Sequence, residues 1–515
     1  MIKLMRTVKL PRDGFWRPLM KMNERPLSRL GALAAGSLAL ALAVSGCGSS
    51  HSYSGSAGGS TNFTSVIWVG DSLTAGYQNG SLLDSQQVHG YAALVAAQAN
   101  FRITLPLIAP PGAPSVLELT SPPPNFVIAS APGTTSGRDD ITVTPSDVAV
   151  PGAFVYDVLN TYATPTPTPG QEEINTLVLG FPGLLKGIPY SQYSLALSEN
   201  PTTIFAWIGN NDALVADILS TPLAMTDPTT FQTEYTQTIG ALAMTGATMY
   251  VGNVPDVTLV PYLVPGIEVI EQVEAESGLP EATVEGALGL LPTDAINLET
   301  YADIPNIVAC ALAGSPCPLS NPGTLGPTDP GTCPTNLEAI APGVTYCILH
   351  AADLTTIQGN VATYDGIIDA VAAGTNSTVV DIYTAFEDAA ASGVTANGCT
   401  GYFDFLGGLF GLDGIHPSNT GYGVLANAFI TTINGAAGSS IQPVNLDTIA
   451  ATDPLWPTQL YGGCPLPPAV KPAGAVRRHG KLPTYAQARL IADAVRKTLP
   501  KSALDRIAAR VASKR

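Results

Sequence analysis

Residues 66–77 read VIWVGDSLTAGY, an apolar run that ends at a glycine and continues into polar residues. Four consecutive β-branched or aromatic side chains favour a strand that is buried on both faces, as in a parallel sheet. Ser72 follows this strand at a predicted strand-to-helix turn, where its hydroxyl would be exposed to the positive field of a helix N-terminus. Taken alone, GDSL is equally compatible with an ordinary turn in which the serine caps a helix.

Short apolar runs of the same kind recur along the chain, and most of them stop at a glycine or a proline. They lie at residues 147–150, 204–208, 249–251 and 378–382, with predicted helices at 91–99 and 351–373. Strands that alternate with helices predict an α/β domain: a three-layer, doubly wound α/β/α arrangement around a mostly parallel five-stranded sheet. Ligands of such sheets bind at the carboxyl ends of the strands, which is where the polar motifs lie.

A histidine near the end of the globular region is the best candidate for a general base. Residues 413–417 read DGIHP, so Asp413 precedes His416 by three residues. An aspartate in that position can orient the imidazole ring and stabilise its charged form. The same spacing also occurs in turns and helix caps. His89 is the other candidate, because the remaining histidines fall in predicted flexible ends or after a cysteine-rich stretch.

Two further motifs follow predicted strands and carry groups that can donate hydrogen bonds to an oxyanion. Residues 209–212 read GNND, and residues 150–153 read VPGA. A side-chain amide such as that of Asn211 can donate to an oxyanion. The backbone N–H of Gly152 can approach a substrate because no side chain stands in the way. The alternative for both motifs is a tight turn.

Taken together and in this order, the four motifs resemble the four sequence blocks of the SGNH (GDSL) hydrolase superfamily. Residues 207–212 (WIGNND) are similar to its third block and residues 408–417 (GLFGLDGIHP) to its last. The resemblance extends over roughly residues 63–435. It implies a flavodoxin-like fold in which Ser72 is the nucleophile, His416 is the general base and then the acid, and Asp413 orients His416. It also implies an oxyanion hole formed by the N–H groups of Ser72 and Gly152 and the side chain of Asn211, with no cofactor and no metal.

The resemblance therefore predicts a serine esterase that hydrolyses carboxylic esters through an acyl-enzyme, as a lipase, lysophospholipase or thioesterase does. A carbohydrate O-acetyl esterase is the enzymatic alternative, because the same fold serves both. An inactive, surface-binding lipoprotein is the alternative from another class. The G-x-S-x-G elbow of α/β-hydrolases is absent, because Thr74 occupies the second position after Ser72.

The chain has a net charge of −17, and its charges are unevenly distributed. Residues 47–470 contain only three basic residues, Arg102, Arg138 and Lys186, and most of the acidic ones. Such a surface repels nucleic acid and anionic membranes, so nucleic acid is not an expected partner. An acidic environment and a high-salt environment would each reduce the self-repulsion. The sequence leaves the oligomeric state open.

The N-terminus has the pattern of an export signal. Arg25 and Arg29 precede an apolar run at 30–44, which is followed by small residues and Cys47. This pattern resembles the lipobox of bacterial lipoproteins and predicts that Cys47 is lipidated and anchors an exported protein in the cell envelope, in the outer membrane if the host is Gram-negative. An ordinary signal peptide with a chance cysteine is the alternative. Met22 is a second candidate start.

We expect four regions: a signal peptide at 1–46, a lipidated cysteine and tether at 47–62, the hydrolase domain at 63–470, and a basic helical tail at 471–515. The hydrolase domain would carry insertions near 103–146, 160–190 and 258–350. The first and third could wall a groove for acyl chains or simply pack over the sheet.

The six remaining cysteines predict three disulfides, with no C-x-x-C pair to suggest a metal. They are Cys310, Cys317, Cys333, Cys347, Cys399 and Cys464, and we expect neighbours to pair as 310–317 and 333–347.

The tail at 471–515 carries 12 basic and two acidic residues. Apolar residues at helical spacing predict one helix over 485–499, ended by Pro500, and a second from Ser502 to Val511. These helices could lie on anionic lipid or cell wall, fold back on the acidic body, or remain a solvated appendage. Because they follow all four motifs, we expect truncation after residue 470 to leave turnover of a soluble ester within a few-fold.

Overall fold

A computed structural model of the protein describes residues 59–312, 348–464 and 482–513. Over these ranges the strands are β1 (Val66–Gly70), β2 (Leu117–Ser121), β3 (Val127–Ser130), β4 (Thr203–Trp207), β5 (Thr248–Gly252), β6 (Leu263–Pro265), β7 (Ala295–Asn297), β8 (Thr378–Val380), β9 (Val394–Ala396) and β10 (Cys399–Gly401).

The helices of the first half are α1 (Asp84–Gln87), α2 (Tyr91–Ala99), α3 (Val155–Asn160), α4 (Gln171–Leu179), α5 (Gln192–Ser198), α6 (Asn210–Ile218), α7 (Pro228–Ala243), α8 (Gly266–Ser277), α9 (Glu281–Leu288), α10 (Leu298–Ala302) and α11 (Ile304–Leu312). Those of the second half are α12 (Ala351–Thr375), α13 (Ile382–Ser392), α14 (Asn419–Ala437), α15 (Leu446–Ala450), α16 (Pro457–Leu460), α17 (Tyr485–Arg496) and α18 (Lys501–Ser513). None of these described helices combines the length and hydropathy needed to cross a membrane.

The central sheet has four parallel strands in the order β1-β4-β5-β8. The expected fifth strand at 147–150 is not confirmed as a strand. That segment lies beside β1 with one parallel bridge, between Trp68 and Asp147. Backbone hydrogen bonds of 2.9 and 3.1 Å also run from Val148 N–H to the Trp68 carbonyl and from Val150 N–H to the Gly70 carbonyl. The segment therefore lies next to β1, on the side away from β4.

The side chains of β1 alternate between two hydrophobic cores, one on each face of the sheet. Ile67 and Val69 join the core that includes α3, α7 and α12. Val66 and Trp68 join the core that includes α2 and α14. Because both faces are covered by helices, the strands are apolar throughout, and the predicted three-layer mixed α/β architecture is what the structure has.

The predicted insertions pack around this framework. Region 103–146 contains the antiparallel hairpin β2–β3, and region 160–190 contains α4. Region 258–350 contributes the antiparallel pair β6–β7 and helices α8 to α11. Buried apolar residues of the hairpin and of this helical region belong to the same hydrophobic core as α3, α7 and α12.

One disulfide joins Cys399 at the start of β10 to Cys464, with a Cα–Cα distance of 5.2 Å. This confirms that these two cysteines are disulfide-bonded. The pairings predicted for Cys310, Cys317, Cys333 and Cys347 lie outside the described side chains. The predicted signal peptide, Cys47 and most of the tether likewise lie outside the described residues.

The described part of the basic tail packs on the body, which is one of the three arrangements that the sequence left open. Helices α17 and α18 begin and end within three residues of their predicted bounds. Their apolar faces are buried, with Ile491 at 0% and Ile507 at 1% exposure. Both belong to the core that covers the α3 and α7 face of the sheet.

Candidate active site

Ser72 lies two residues beyond β1, at the carboxyl edge of the sheet, and is 6% exposed. The residues after it form turns rather than the helix that the sequence predicted directly after Ser72. The turn is closed by backbone hydrogen bonds of 3.0 Å from Ala75 to Asp71 and from Tyr77 to Ser72. The second bond spans five residues, a spacing that the α-helical repeat does not have.

The structure brings Ser72, His416 and Asp413 into one hydrogen-bonded series, although 344 residues separate the serine from the histidine. His416 Nε2 lies 2.8 Å from Ser72 Oγ. On the other side of the ring, Nδ1 lies 3.0 Å from Asp413 Oδ2. His416 and Asp413 are 5% and 0% exposed, so the series is shielded from water. This geometry is the one that proton transfer from a serine hydroxyl to an oriented imidazole requires.

The Asp413 carboxylate accepts further hydrogen bonds from three backbone N–H groups. Those of Ile415 and His416 lie 2.9 Å from Oδ1, and that of Gly80 lies 2.6 Å from Oδ2. Burial alone would raise the pKa of Asp413, but the facing His416 and these hydrogen bonds lower it below its ordinary value. Asp413 is therefore ionised at neutral pH and holds a proton on Nδ1 of the imidazole.

The neighbouring asparagines at the end of β4 have different partners. Asn211 Nδ2 donates to the Ala153 carbonyl at 2.9 Å. Asn210 Nδ2 donates to Asp71 Oδ2 at 2.9 Å. Burial raises the pKa of Asp71 to about 6, although the hydrogen bond from Asn210 lowers it. An amide nitrogen carries two hydrogens, so Asn211 keeps one for another acceptor.

Gly152 lies close to these groups, but it is not among the residues that line the cavity at Ser72. Its neighbours are tied to the site: Val150 N–H donates to the Gly70 carbonyl, and the Ala153 carbonyl accepts from Asn211. Gly152 adopts φ +79°, in the left-handed region that favours glycine. The structure therefore places Gly152 beside the Ser72 and Asn211 motifs.

A cavity opens at Ser72, His416, Asn210 and Asn211. Most of its wall is apolar, including Trp207, Leu214, Val257, Phe386, Phe403 and Phe410. Of the predicted insertions, region 103–146 contributes no lining residue among those described, and region 258–350 contributes only Val260. Of the two alternatives that the sequence left open for these insertions, the structure favours packing over the sheet, because their apolar residues join the core.

Sequence reasoning missed several groups that hold the site. Gly80 supplies a backbone donor to Asp413, and Tyr77 packs on His416 with ring centroids 4.7 Å apart. Tyr77 belongs to the run 66–77, so its position five residues after Ser72 was the sequence feature from which an aromatic contact at the site could have been predicted. A backbone N–H such as that of Gly80 carries no sequence signal of its own. His89, the alternative base, is not among the residues that line the cavity.

Comparison with known proteins leaves the family of this chain unassigned. No family model matches the chain. No curated protein matches it either. Among solved structures, it is similar to LAE5, described as an alpha/beta hydrolase enzyme from the metagenome of Lake Arreo, Spain. The identity is 13% and the TM-score 0.30, over 72% of this chain and 94% of that one.

Proposed function

We propose that the protein is a serine hydrolase of carboxylic esters that acts through an acyl-enzyme. The observation that carries this proposal is the series Ser72–His416–Asp413, with contacts of 2.8 and 3.0 Å, at the mouth of an apolar cavity. The order and spacing of the four sequence motifs support placing the chain with the SGNH hydrolases. The positions of these motifs at the carboxyl edge of a parallel sheet support the same assignment.

In this mechanism Ser72 Oγ attacks the ester carbonyl while His416 Nε2 takes up the hydroxyl proton. Asp413 stabilises the imidazolium through Nδ1. Collapse of the tetrahedral intermediate breaks the bond to the alcohol oxygen, which receives the proton from His416. Water then attacks the acyl-enzyme with His416 again as base. The products are a carboxylic acid and the free serine.

The oxyanion of each intermediate would be bound by the N–H groups of Ser72 and Gly152 and by the Asn211 amide. Neither of those two N–H groups makes a hydrogen bond to another residue in the described part of the chain. The Asn211 amide uses one hydrogen on Ala153 and retains the other. Donors held ready in a site that excludes water contribute more to the rate than donors that must reorganise.

The cavity favours esters of aliphatic acyl chains over sugar acetates. An acetyl group would contact only a few of the apolar side chains in the wall, and a sugar requires polar partners that an apolar wall lacks. An acyl chain of several carbons would bury its methylenes there, at about 0.8 kcal/mol each. We therefore assign the cavity to the acyl part of the substrate and leave the alcohol part outside it.

The test is hydrolysis of p-nitrophenyl esters from acetate to palmitate by the wild type and Ser72→Ala, together with acetylated xylan. We expect Ser72-dependent turnover that rises with acyl length beyond acetate. Ser85→Ala is the matched control, because Ser85 is exposed on α1. A fluorophosphonate should label the wild type and Ser85→Ala but not Ser72→Ala. Turnover that survives Ser72→Ala contradicts the mechanism, and preference for acetylated xylan contradicts the acyl assignment.

A further inference from the structure

The linker between α17 and α18 touches the predicted oxyanion segment directly. A Cβ atom on Gly152 would lie 1.9 Å from the carbonyl oxygen of Thr498, so the two backbones are as close as a glycine permits. Thr498 itself is buried, and its side-chain hydroxyl donates to the Val495 carbonyl at 2.7 Å. The linker that follows α17 is thus held against Gly152.

Helix α18 holds the same segment at a second point. Arg506 lies 3.7 Å from the buried Asp157 carboxylate and 4.3 Å above the ring of Tyr156. Asp157 Oδ2 in turn accepts the Phe154 N–H at 2.9 Å, which closes the first turn of α3. Planar guanidinium groups suit this combined ion pairing and ring stacking. Residues 152–157 therefore lie between Asn211 on one side and the tail on the other.

Helix α17 also lies behind the backbone donor that holds Asp413. A Cβ on Gly80 would lie 3.2 Å from the Cβ of Ala494. Gly80 adopts φ +71° and donates to Asp413 Oδ2. The tail thus contacts the backbone at two places that the proposed mechanism uses, one at the oxyanion hole and one at the aspartate.

The charge distribution explains why this element is basic. Residues 47–470 contain only three Lys or Arg residues, and Asp157, Glu299 and Asp303 form their ion pairs with arginines of the tail. Arg506 pairs with Asp157, whereas Arg489 pairs with Glu299 and Asp303, both of which lie outside the cavity wall. The contacts near the catalytic groups and those remote from them can therefore be tested separately.

We propose that the C-terminal hairpin α17–α18 is a positioning element of the active site, in which Thr498 and Arg506 hold the Gly152–Asp157 segment in the geometry that oxyanion binding needs. This inference rests on the proposed ester hydrolysis. Neither residue touches the substrate. Loss of Arg506 releases the segment on the tail side, and a displacement of about 1 Å at a catalytic donor lowers turnover by up to about 10²-fold.

The experiment compares full-length Arg506→Ala, Arg506→Lys and Arg489→Ala with the wild type. Each protein is titrated with a fluorophosphonate, so that kcat is expressed per reactive Ser72, and Tm is recorded alongside. For Arg506→Ala we expect kcat per site to fall about tenfold or more with KM within about twofold, because the oxyanion forms only in the transition state. Arg506→Lys should recover part of the loss, since it keeps the charge beside Asp157. Arg489→Ala, the matched control, removes the same charge from the same tail and should keep its kcat per site.

A double-mutant cycle that combines Arg506→Ala with Asn211→Ala separates a positioning role from a general effect on stability. If Arg506 acts through the oxyanion hole, the fold-loss in kcat of the double variant is smaller than the product of the fold-losses of Arg506→Ala and Asn211→Ala. Independent, multiplying losses would overturn the inference. So would an unchanged kcat per site in Arg506→Ala, or an equal loss in Arg489→Ala. Labelling or turnover that survives Ser72→Ala would overturn the proposed function and this inference together.

Discussion

Asp413 Oδ2 accepts a hydrogen bond of 2.6 Å from the backbone N–H of Gly80, which precedes it by 333 residues. The bond joins the segment that follows the first sequence motif to the last motif, independently of the Ser72–His416 contact. It also fills one of the lone pairs of an oxygen that holds His416 Nδ1. The Asp413 carboxylate is thereby held by Gly80 on one side and by its neighbours Ile415 and His416 on the other before any substrate binds.

Asp413→Asn should lower kcat by about 10³–10⁴ with little change in KM. The amide would have to present either its oxygen or its NH₂ group to both Gly80 N–H and His416, so one contact is lost or the ring adopts the wrong tautomer. Steady-state kinetics on a soluble ester measure the effect. Asp140→Asn, at a fully exposed position, is the control and should keep wild-type turnover. A loss below about tenfold would exclude Asp413 as the orienting group.

The two adjacent asparagines should give different defects. Asn211→Ala removes an oxyanion donor and should lower kcat by about 10²–10³, together with the stability that its single hydrogen bond to the Ala153 carbonyl contributes. Asn210→Ala leaves the buried Asp71 carboxylate without that partner and should lower the free energy of unfolding by about 1–3 kcal/mol. Kinetics and urea denaturation on both variants measure the contrast. Exchanged phenotypes would assign the oxyanion role to Asn210.

The cavity wall should determine acyl-chain preference. Phe403 packs edge-on against Phe386 and Phe410, and all three line the cavity. Phe403→Ala should therefore raise kcat/KM for longer acyl chains relative to shorter ones, by about tenfold or more. A p-nitrophenyl ester series measures this ratio. Phe63→Ala is the control, since Phe63 packs in the opposite core and is absent from the cavity wall. An unchanged chain-length profile in Phe403→Ala would contradict the acyl assignment.

The sequence predicted most of the sheet because three of its strands are almost continuously apolar. Strands β1, β4 and β5 begin and end within one or two residues of the apolar runs. Run 147–150 is less apolar, because it begins with Asp147, and it forms only one bridge. Asp147 Oδ1 accepts the Ala149 N–H at 3.1 Å, and Pro151, which has no N–H, follows the run, so local bonding and a missing donor limit its pairing with β1.

At the site, the sequence indicated the side chains but not the backbone groups that hold them. Ser72, Asp413, His416 and Asn211 were predictable because their residue types carry the chemistry. The contact between Gly152 and Thr498 was not, because it joins residues far apart in the chain through backbone atoms alone. The sequence led us to expect that truncation after residue 470 leaves turnover of a soluble ester within a few-fold. If the tail positions Gly152 as proposed, the same truncation should instead reduce that turnover.

Lipidation of Cys47 remains a prediction from the sequence. We expect mass analysis of the mature protein from its host to show acylated Cys47 as the first residue. Cys47→Ser should shift the protein from the membrane to the soluble fraction and leave soluble-ester turnover unchanged, because the described site begins beyond residue 59. Ser45→Ala is a matched control that keeps a small residue before the cysteine. An unmodified Cys47 in the mature chain would refute the anchor.

Stability should increase toward mildly acidic pH, because several buried acids resist ionisation in the folded protein. Burial raises the pKa of Asp212 to about 7, although hydrogen bonds from Thr226 and Val155 lower it. Burial also raises the pKa of Glu299 to about 7. Unfolded acids of these types titrate near 4, so between about pH 4 and pH 7 the folded state binds more protons. The free energy of unfolding therefore falls as pH rises through this window. The lowered pKa of Asp413 has the opposite sign, but its effect falls below the window.

We expect Tm to be higher at pH 5 than at pH 8, and Asp212→Asn to flatten the difference, because the amide is neutral at every pH. Asp140→Asn should leave the slope unchanged, since Asp140 is exposed, its pKa is lowered by Thr142, and it is ionised throughout the range. Repeating the scan in about 1 M salt separates the two sources of acid stabilisation. At this ionic strength repulsion between surface carboxylates is screened over about 3 Å, whereas the cost of ionising a buried carboxyl persists. A slope that disappears in salt would assign the effect to the surface charge of the body, and a higher Tm at pH 8 than at pH 5 would contradict the raised pKa values themselves.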